Sequence, residues 1–162
     1  MDIAHVESIL SSHVGKREDL IEVLHKIQGV YNYLPEEALW KVSETLGTPL
    51  IEVFRVANFY KAFSLQPRGK HLVTICTGTA CHVRGAPKFI DELKGQLNIE
   101  PGETTSDKSF TVETVNCVGA CALGPIVIMN AEYHDRMSAL KLRKLIEATK
   151  EKDKETTLHG EN

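Results

Sequence analysis

The 162-residue sequence has no long apolar run, no large excess of charge of either sign, and only four cysteines. No stretch approaches the ~20 apolar residues that a membrane-crossing helix needs, so no direct membrane insertion is expected. A net charge of −3 offers no broad basic surface to a polyanion, and nucleic acid is not expected as a partner. The first residues, Met1-Asp2-Ile3-Ala4-His5-Val6-Glu7, lack a basic segment followed by an apolar block and do not resemble a signal peptide. A cytoplasmic, reducing location is therefore expected, where thiols stay available for metal. No C-x-x-C pair occurs, which argues against catalytic thiol exchange. The stretch Gly78 to Lys88 is loosely phosphate-loop-like but contains no G-x-x-x-x-G-K-[ST], so no nucleotide site is read there. No residue stands in a pattern suited to hydride transfer or acid–base work, and no catalytic residue is expected.

What is present is ordinary for a soluble globular chain, with 42% apolar and 25% charged residues and length enough for one large or two small domains. The first part reads as four amphipathic helices. Ile3, Val6, Ile9 and Leu10 share one face; Leu20, Ile21, Val23, Leu24 and Ile27 form a second stripe closing near Gly29. Pro35-Glu36-Glu37 is a strong helix start, and Gly47 can supply the left-handed residue that ends that helix. Thr48-Pro49 then restarts the chain as N-cap and first helical residue. Tyr31, Tyr33, Trp40, Phe59, Tyr60 and Phe63 gather near the helix ends, where bundle packing explains them as well as an interface does. The irregular stretch from Lys61 to Gly69 marks a boundary.

Beyond it the period changes. His71-Leu72-Val73-Thr74-Ile75 reads as a strand running into Cys76; Pro87 opens a helix with Phe89, Ile90, Leu93 and Leu97 on one face; residues 100–109 form a polar turn. Phe110–Val115 alternates as a half-buried strand leading to Cys117, Pro125–Met129 is a third strand, and a short fourth contains Tyr133. Ser138 caps a last helix with Leu140, Leu142, Leu145 and Ile146 inward. This order predicts an α+β fold: a helical bundle over 1–66, a thioredoxin-like domain over 67–149 whose first two strands are parallel through a crossover, and a charged, frayed tail over 150–162.

All four cysteines lie in two short loops. Cys76-Thr-Gly-Thr-Ala-Cys81 leaves four residues between its thiols, Cys117-Val-Gly-Ala-Cys121 leaves three, and the 35 residues 82–116 separate the pairs. Nothing marks the chain as a disulfide-stapled mini-protein. A Cys₄ zinc site accepts both gaps, but zinc ribbons separate their pairs by roughly 15–20 residues. A [2Fe-2S] centre also takes four cysteines, although the 35-residue spacer is not the plant-type ferredoxin pattern. Small residues at Gly78, Ala80, Gly119 and Ala120 let backbone N–H groups approach sulfur, which suits a cluster whose charge is tuned by hydrogen bonds. His82, Arg84, Lys88 and the N-terminus of the helix near Pro87 are candidate sources of compensating charge. The residues favour [2Fe-2S] and leave a zinc-stabilised interaction module as the alternative.

Cys76-Thr-Gly-Thr-Ala-Cys81-His-Val-Arg-Gly-Ala86, the 35-residue spacer, Cys117-Val-Gly-Ala-Cys121 and Pro125 together resemble the thioredoxin-like [2Fe-2S] subunit of NADH-oxidising modules. That family includes the small peripheral-arm subunit of respiratory complex I and relatives in soluble NAD-linked hydrogenases and formate dehydrogenases, to which the first loop is more similar. The likeness covers residues 1 to about 148; Gly124 stands where the family more often has alanine. It implies one [2Fe-2S] cluster, with Cys76 and Cys81 on one iron and Cys117 and Cys121 on the other. It also implies electron exchange with a flavoprotein partner that binds FMN and NAD(P)H, beside a larger iron–sulfur or catalytic subunit. A free-standing thioredoxin-like ferredoxin is the remaining alternative.

Overall fold

A computed structural model describes the chain from residue 3 to residue 159, with side chains from 4 to 155. It divides into two compact units, one reaching Arg68 and the other beginning at Gly69.

The first unit consists of α1 (Ile3–Leu10), α2 (Leu20–Tyr31), α3 (Glu36–Leu46) and α4 (Leu50–Phe59), with a 3-10 turn at Arg17–Asp19 leading into α2. The apolar stripes close on one core: Val6 and Leu10 meet Val23, Leu24, Ile27, Leu39, Val42, Leu46 and Val53, all buried. The side chain of Ile3, expected on the same face, lies outside the described residues. Helix ends follow local chemistry. Gly47 ends α3 at φ 64°, as expected, while α2 passes Gly29 and ends on Asn32, also at φ 64°. Thr48 does not cap α4. Pro49 takes that position, the Thr48 carbonyl accepts a hydrogen bond from Ser43 Oγ at 2.8 Å, and Thr48 Oγ1 is buried without a partner.

The aromatic group splits. Phe63 is buried against His25 and Tyr60, whereas Trp40 and Phe59 are exposed. The core faces of their helices run through Leu39 and Val42 and through Val53 and Ala57, and both aromatics fall off those faces. The stretch after α4 folds back on the bundle: Leu34 N–H donates to Ser64 O at 2.7 Å, and the Gln28 amide binds Ala62 O and Ser64 N–H.

The second unit contains β1 (His71–Cys76), α5 (Thr79–Val83), α6 (Ala86–Leu97), β2 (Phe110–Val115), β3 (Val127–Met129), β4 (Glu132–His134) and α7 (Ala139–His159). The sheet order is β2-β1-β3-β4. β1 and β2 are parallel, joined through α5 and α6, and β3 and β4 add antiparallel strands. This is the α+β, thioredoxin-like arrangement that the element order predicts. The register sets Val73 opposite Val112 and Met129, and Ile75 opposite Val127. These side chains are buried with Phe89 and Leu93 of α6 and Leu142 and Ile146 of α7. Glu92 accepts two hydrogen bonds from Arg143, at 2.7 and 2.8 Å, and ties α6 to α7.

Four details differ from the sequence reading. α5 is a separate five-residue helix in a stretch with no apolar stripe to announce it. β2 buries Phe110, Thr111 and Val112 in succession, because Thr111 Oγ1 accepts the Gly69 N–H at 2.7 Å and meets Thr104 Oγ1 at 2.7 Å. Leu140 is exposed, since α7 turns Leu142 and Ile146, four residues apart, into the core. The charged segment from Lys150 continues α7 through His159, where Asp153 pairs with Lys70 and with His71 Nε2 at 2.8 Å. Residues 160–162 of that tail lie outside the described residues.

Candidate metal centre

Parallel strands begin and end together, and here both lead to a cysteine at the same end. Cys76 is the last residue of β1, paired in register with Val115, the last of β2; Cys117 follows two residues later. Cys81 sits in α5, and Cys121 opens a 3-10 turn that runs to Leu123. The backbone knits the two loops: Thr77 N–H and Thr77 Oγ1 both donate to Val115 O, at 2.8 and 3.0 Å. Nothing in the hydrophobic period singles out Thr77 for this role.

The structure brings all four expected residues together. Cys76 contacts the thiols of Cys81 and Cys117, and Cys117 Sγ lies 3.9 Å from Cys121 Sγ. Cys76 and Cys81 are buried, Cys117 and Cys121 exposed. The contacts run from Cys81 through Cys76 and Cys117 to Cys121, a set of four thiols of the kind that holds a [2Fe-2S] centre.

Each sulfur sits in a distinct field. Burial pushes the Cys76 thiol up, but the backbone N–H groups of Gly78 and Val118 and the thiols of Cys81 and Cys117 together hold it below the usual thiol range. Burial and the neighbouring Cys76 push Cys81 up, partly offset by the Ile126 N–H. Hydrogen bonding to Cys117 and the charge there push Cys121 up. Gly119 N–H donates to Cys117 Sγ at 3.3 Å. Backbone donors thus reach sulfur from both loops and from Ile126, which follows the cis Gly124–Pro125 peptide. Val118 and Ile126 carry no sequence signature for this, because the donating atom is one that nearly every residue possesses.

Glycine is required at Gly78, where the loops cross, and Gly124 is tightly enclosed. A Cβ on Gly78 would stand 2.5 Å from Asn116 O and 3.2 Å from Cys117 Cβ, and one on Gly124 would stand 3.1 Å from Cys81 Sγ. Gly119 adopts φ 81°. Of the expected cations, Arg84 is bound into the site: its Nη1 donates to Cys121 O at 2.7 Å and to Gly124 O at 3.2 Å. His82 and Lys88 are exposed. α6 begins only at Ala86, so α5, not α6, is the helix that starts next to the first cysteine. Four neighbouring sulfurs, backbone donors aimed at them and a crossing at Gly78 with no space for a methyl group fit a [2Fe-2S] cluster.

Comparison with known proteins agrees. Residues 6–150 match the thioredoxin-like [2Fe-2S] ferredoxin family. The NADP-reducing hydrogenase subunit HndA of Solidesulfovibrio fructosivorans is 38% identical over 141 residues, covering 87% of this chain and 82% of the relative. An NADH-quinone oxidoreductase subunit of Aquifex aeolicus is 33% identical over 141 residues, covering 85% and 88%. Among solved structures, an NAD+-reducing [NiFe]-hydrogenase in the air-oxidised state shares the fold with a TM-score of 0.73 at 24% identity, over 83% of this chain. The chain spans only 23% of that hydrogenase chain. The chain belongs to the thioredoxin-like [2Fe-2S] ferredoxin family, and its cofactor is one [2Fe-2S] cluster.

Proposed function

We propose that the chain is an electron-transfer subunit of a multi-subunit NAD(P)-linked oxidoreductase and holds its cluster on Cys76, Cys81, Cys117 and Cys121. The observation that carries this reading is the linked set of four cysteines at the C-terminal ends of the parallel strands, two buried and two exposed. The cluster supplies one-electron storage. Cys76 and Cys81, both buried, would hold one iron, and Cys117 and Cys121, both exposed, would hold the other. Backbone N–H groups from Gly78, Val118, Gly119 and Ile126 support thiolate charge on the sulfurs. These residues bind and orient; hydride chemistry belongs on a partner, a flavoprotein carrying FMN and NAD(P)H, beside a larger iron–sulfur or catalytic subunit. The names of the two relatives, a hydrogenase subunit and an NADH-quinone oxidoreductase subunit, support membership of such a complex. No described helix is long and apolar enough to cross a membrane, and a cytoplasmic location accords with that.

Two measurements test the proposal. The dithionite-reduced chain is expected to give a [2Fe-2S] EPR signal that Cys81→Ala abolishes; a colourless, EPR-silent chain, or a normal signal in the variant, overturns the ligation. Anaerobic purification is expected to bring down an FMN-containing flavoprotein. A stable monomer with no flavoprotein would identify a free-standing ferredoxin instead.

A further inference from the structure

We infer that Arg84 is a positioning residue for the cluster, setting the spacing between the buried and exposed cysteine pairs and, through its charge, favouring the reduced state. This rests on the proposed ligation by the four cysteines. Arg84 follows α5, three residues after Cys81, and its Nη1 reaches across to Cys121 O at 2.7 Å and Gly124 O at 3.2 Å. One side chain therefore joins the segment carrying Cys81 to both ends of the turn that begins at Cys121.

An exposed arginine ordinarily gains little from a fixed geometry, because holding its long stem costs entropy. Here both acceptors are main-chain carbonyls of one tight turn, itself closed by the Gly124 N–H donating to Cys121 O at 3.3 Å. The turn is held from the other side as well. A Cβ on Gly124 would stand 3.1 Å from Cys81 Sγ and 3.4 Å from Arg84 Nη1. A side chain at 124 would thus press on the Cys81 sulfur and lie at contact distance from the guanidinium. Moving the guanidinium releases the turn, and with it the position of Cys121 relative to Cys81.

The charge acts separately from the spacing. Reduction adds one electron to a centre that is already anionic, so a nearby cation stabilises the reduced form more than the oxidised form. Arg84 lines the same open groove as Cys117 and Cys121, on the exposed side of the pairs. Both consequences follow from one residue but answer to different substitutions.

The test is a potentiometric titration of the cluster-loaded full chain, followed by EPR, together with the rate of iron release to a chelator. Arg84→Met is expected to lower the reduced-to-oxidised ratio at the wild-type midpoint about threefold, which at 59 mV per tenfold for one electron is a shift of about 30 mV to more negative potential. It is also expected to release iron severalfold faster, or, while still folded by circular dichroism, to take up no cluster. Arg84→Lys keeps the charge, so most of the potential is retained while release is faster than wild type. Arg84→Gln keeps a hydrogen-bonding amide without the charge and shifts the potential in the same direction, which keeps the inference testable if Arg84→Met does not fold. Wild-type potential in Arg84→Met, or in Arg84→Gln where Arg84→Met does not fold, or equal shifts in Arg84→Met and Arg84→Lys, overturns the charge role. Wild-type iron release in Arg84→Met overturns the spacing role. Failure of the underlying ligation would appear elsewhere, as a wild-type chain without a [2Fe-2S] signal.

Discussion

Gly78→Ala probes the crossing of the two cysteine loops directly. The added Cβ would lie 2.5 Å from Asn116 O and 3.2 Å from Cys117 Cβ, and Cβ atoms essentially never sit closer than 3.0 Å to a neighbour. Reaching 3.0 Å requires the loops to part by 3.0 − 2.5, or about 0.5 Å. Neither neighbour can swing aside, since one is a backbone carbonyl and the other the first side-chain carbon of a cysteine. Overpacking of this kind costs about 1–3 kcal/mol. At about 4–8 °C per kcal/mol for a domain of this size, a central value of about 2 kcal/mol lowers the Tm by about 8–16 °C. The separation falls where Cys76 meets Cys117, so the EPR line shape of the reduced cluster changes too. Gly95→Ala in α6 is the control: nothing lies within 4 Å of that Cβ, and a gain of about 0.5–1 kcal/mol is expected. A Tm for Gly78→Ala within about 2 °C of wild type, with an unchanged EPR spectrum, would refute the packing argument.

Leu142→Ala, which empties a fully buried site between α7 and the sheet, is expected to cost about 2–5 kcal/mol by chemical denaturation, whereas Leu140→Ala, at an exposed site on the same helix, changes stability by less than about 0.5 kcal/mol. Burial opposes charge on Asp153, but hydrogen bonds from Lys70 and His71 outweigh it and hold its carboxyl below the usual range. A carboxyl depressed on folding contributes stability that is complete above its unfolded pKa, near 3.9, and is lost as pH falls through the folded value. Asp153→Ala is therefore expected to cost up to about 1 kcal/mol at pH 7 and to flatten the fall in Tm between about pH 5 and 3; an unchanged acid limb would refute the pairing.

The bundle was legible because its stripes are long and regular: Leu20 to Ile27 and Leu39 to Leu46 bury the residues that the 3.6 period selects. What escaped had a cause outside the local pattern. Lys150 onward reads as a solvated tail because its composition is charged, yet Asp153 finds Lys70 and His71 more than 80 residues away in the chain. α5 has no apolar face because one of its turns is buried through a cysteine. The conformation of Thr48 depended on which residue would cap α4, and proline at 49 settled that with its fixed φ rather than with a side-chain hydrogen bond.

The 35-residue spacer weighed against both the plant-type ferredoxin and the zinc ribbon, and the topology gives it a positive meaning. Two cysteine loops at the same end of adjacent strands require those strands to be parallel. A parallel pair cannot be joined by a hairpin, only by a crossover; a βαβ unit takes about 30 residues or more. Here the end of α5, α6, the turn at residues 98–109 and β2 occupy that interval, and the register Cys76 opposite Val115 brings the second loop level with the first. The spacing is therefore the length of chain needed to return to the same end of the parallel strands. An insertion or deletion within α6 that kept β1 and β2 in register would leave the thiols together, so the gap can vary while the chemistry does not. The gaps inside each pair have no such freedom, because each must carry the chain through a glycine that packs against the other loop or turns back on its own sulfur.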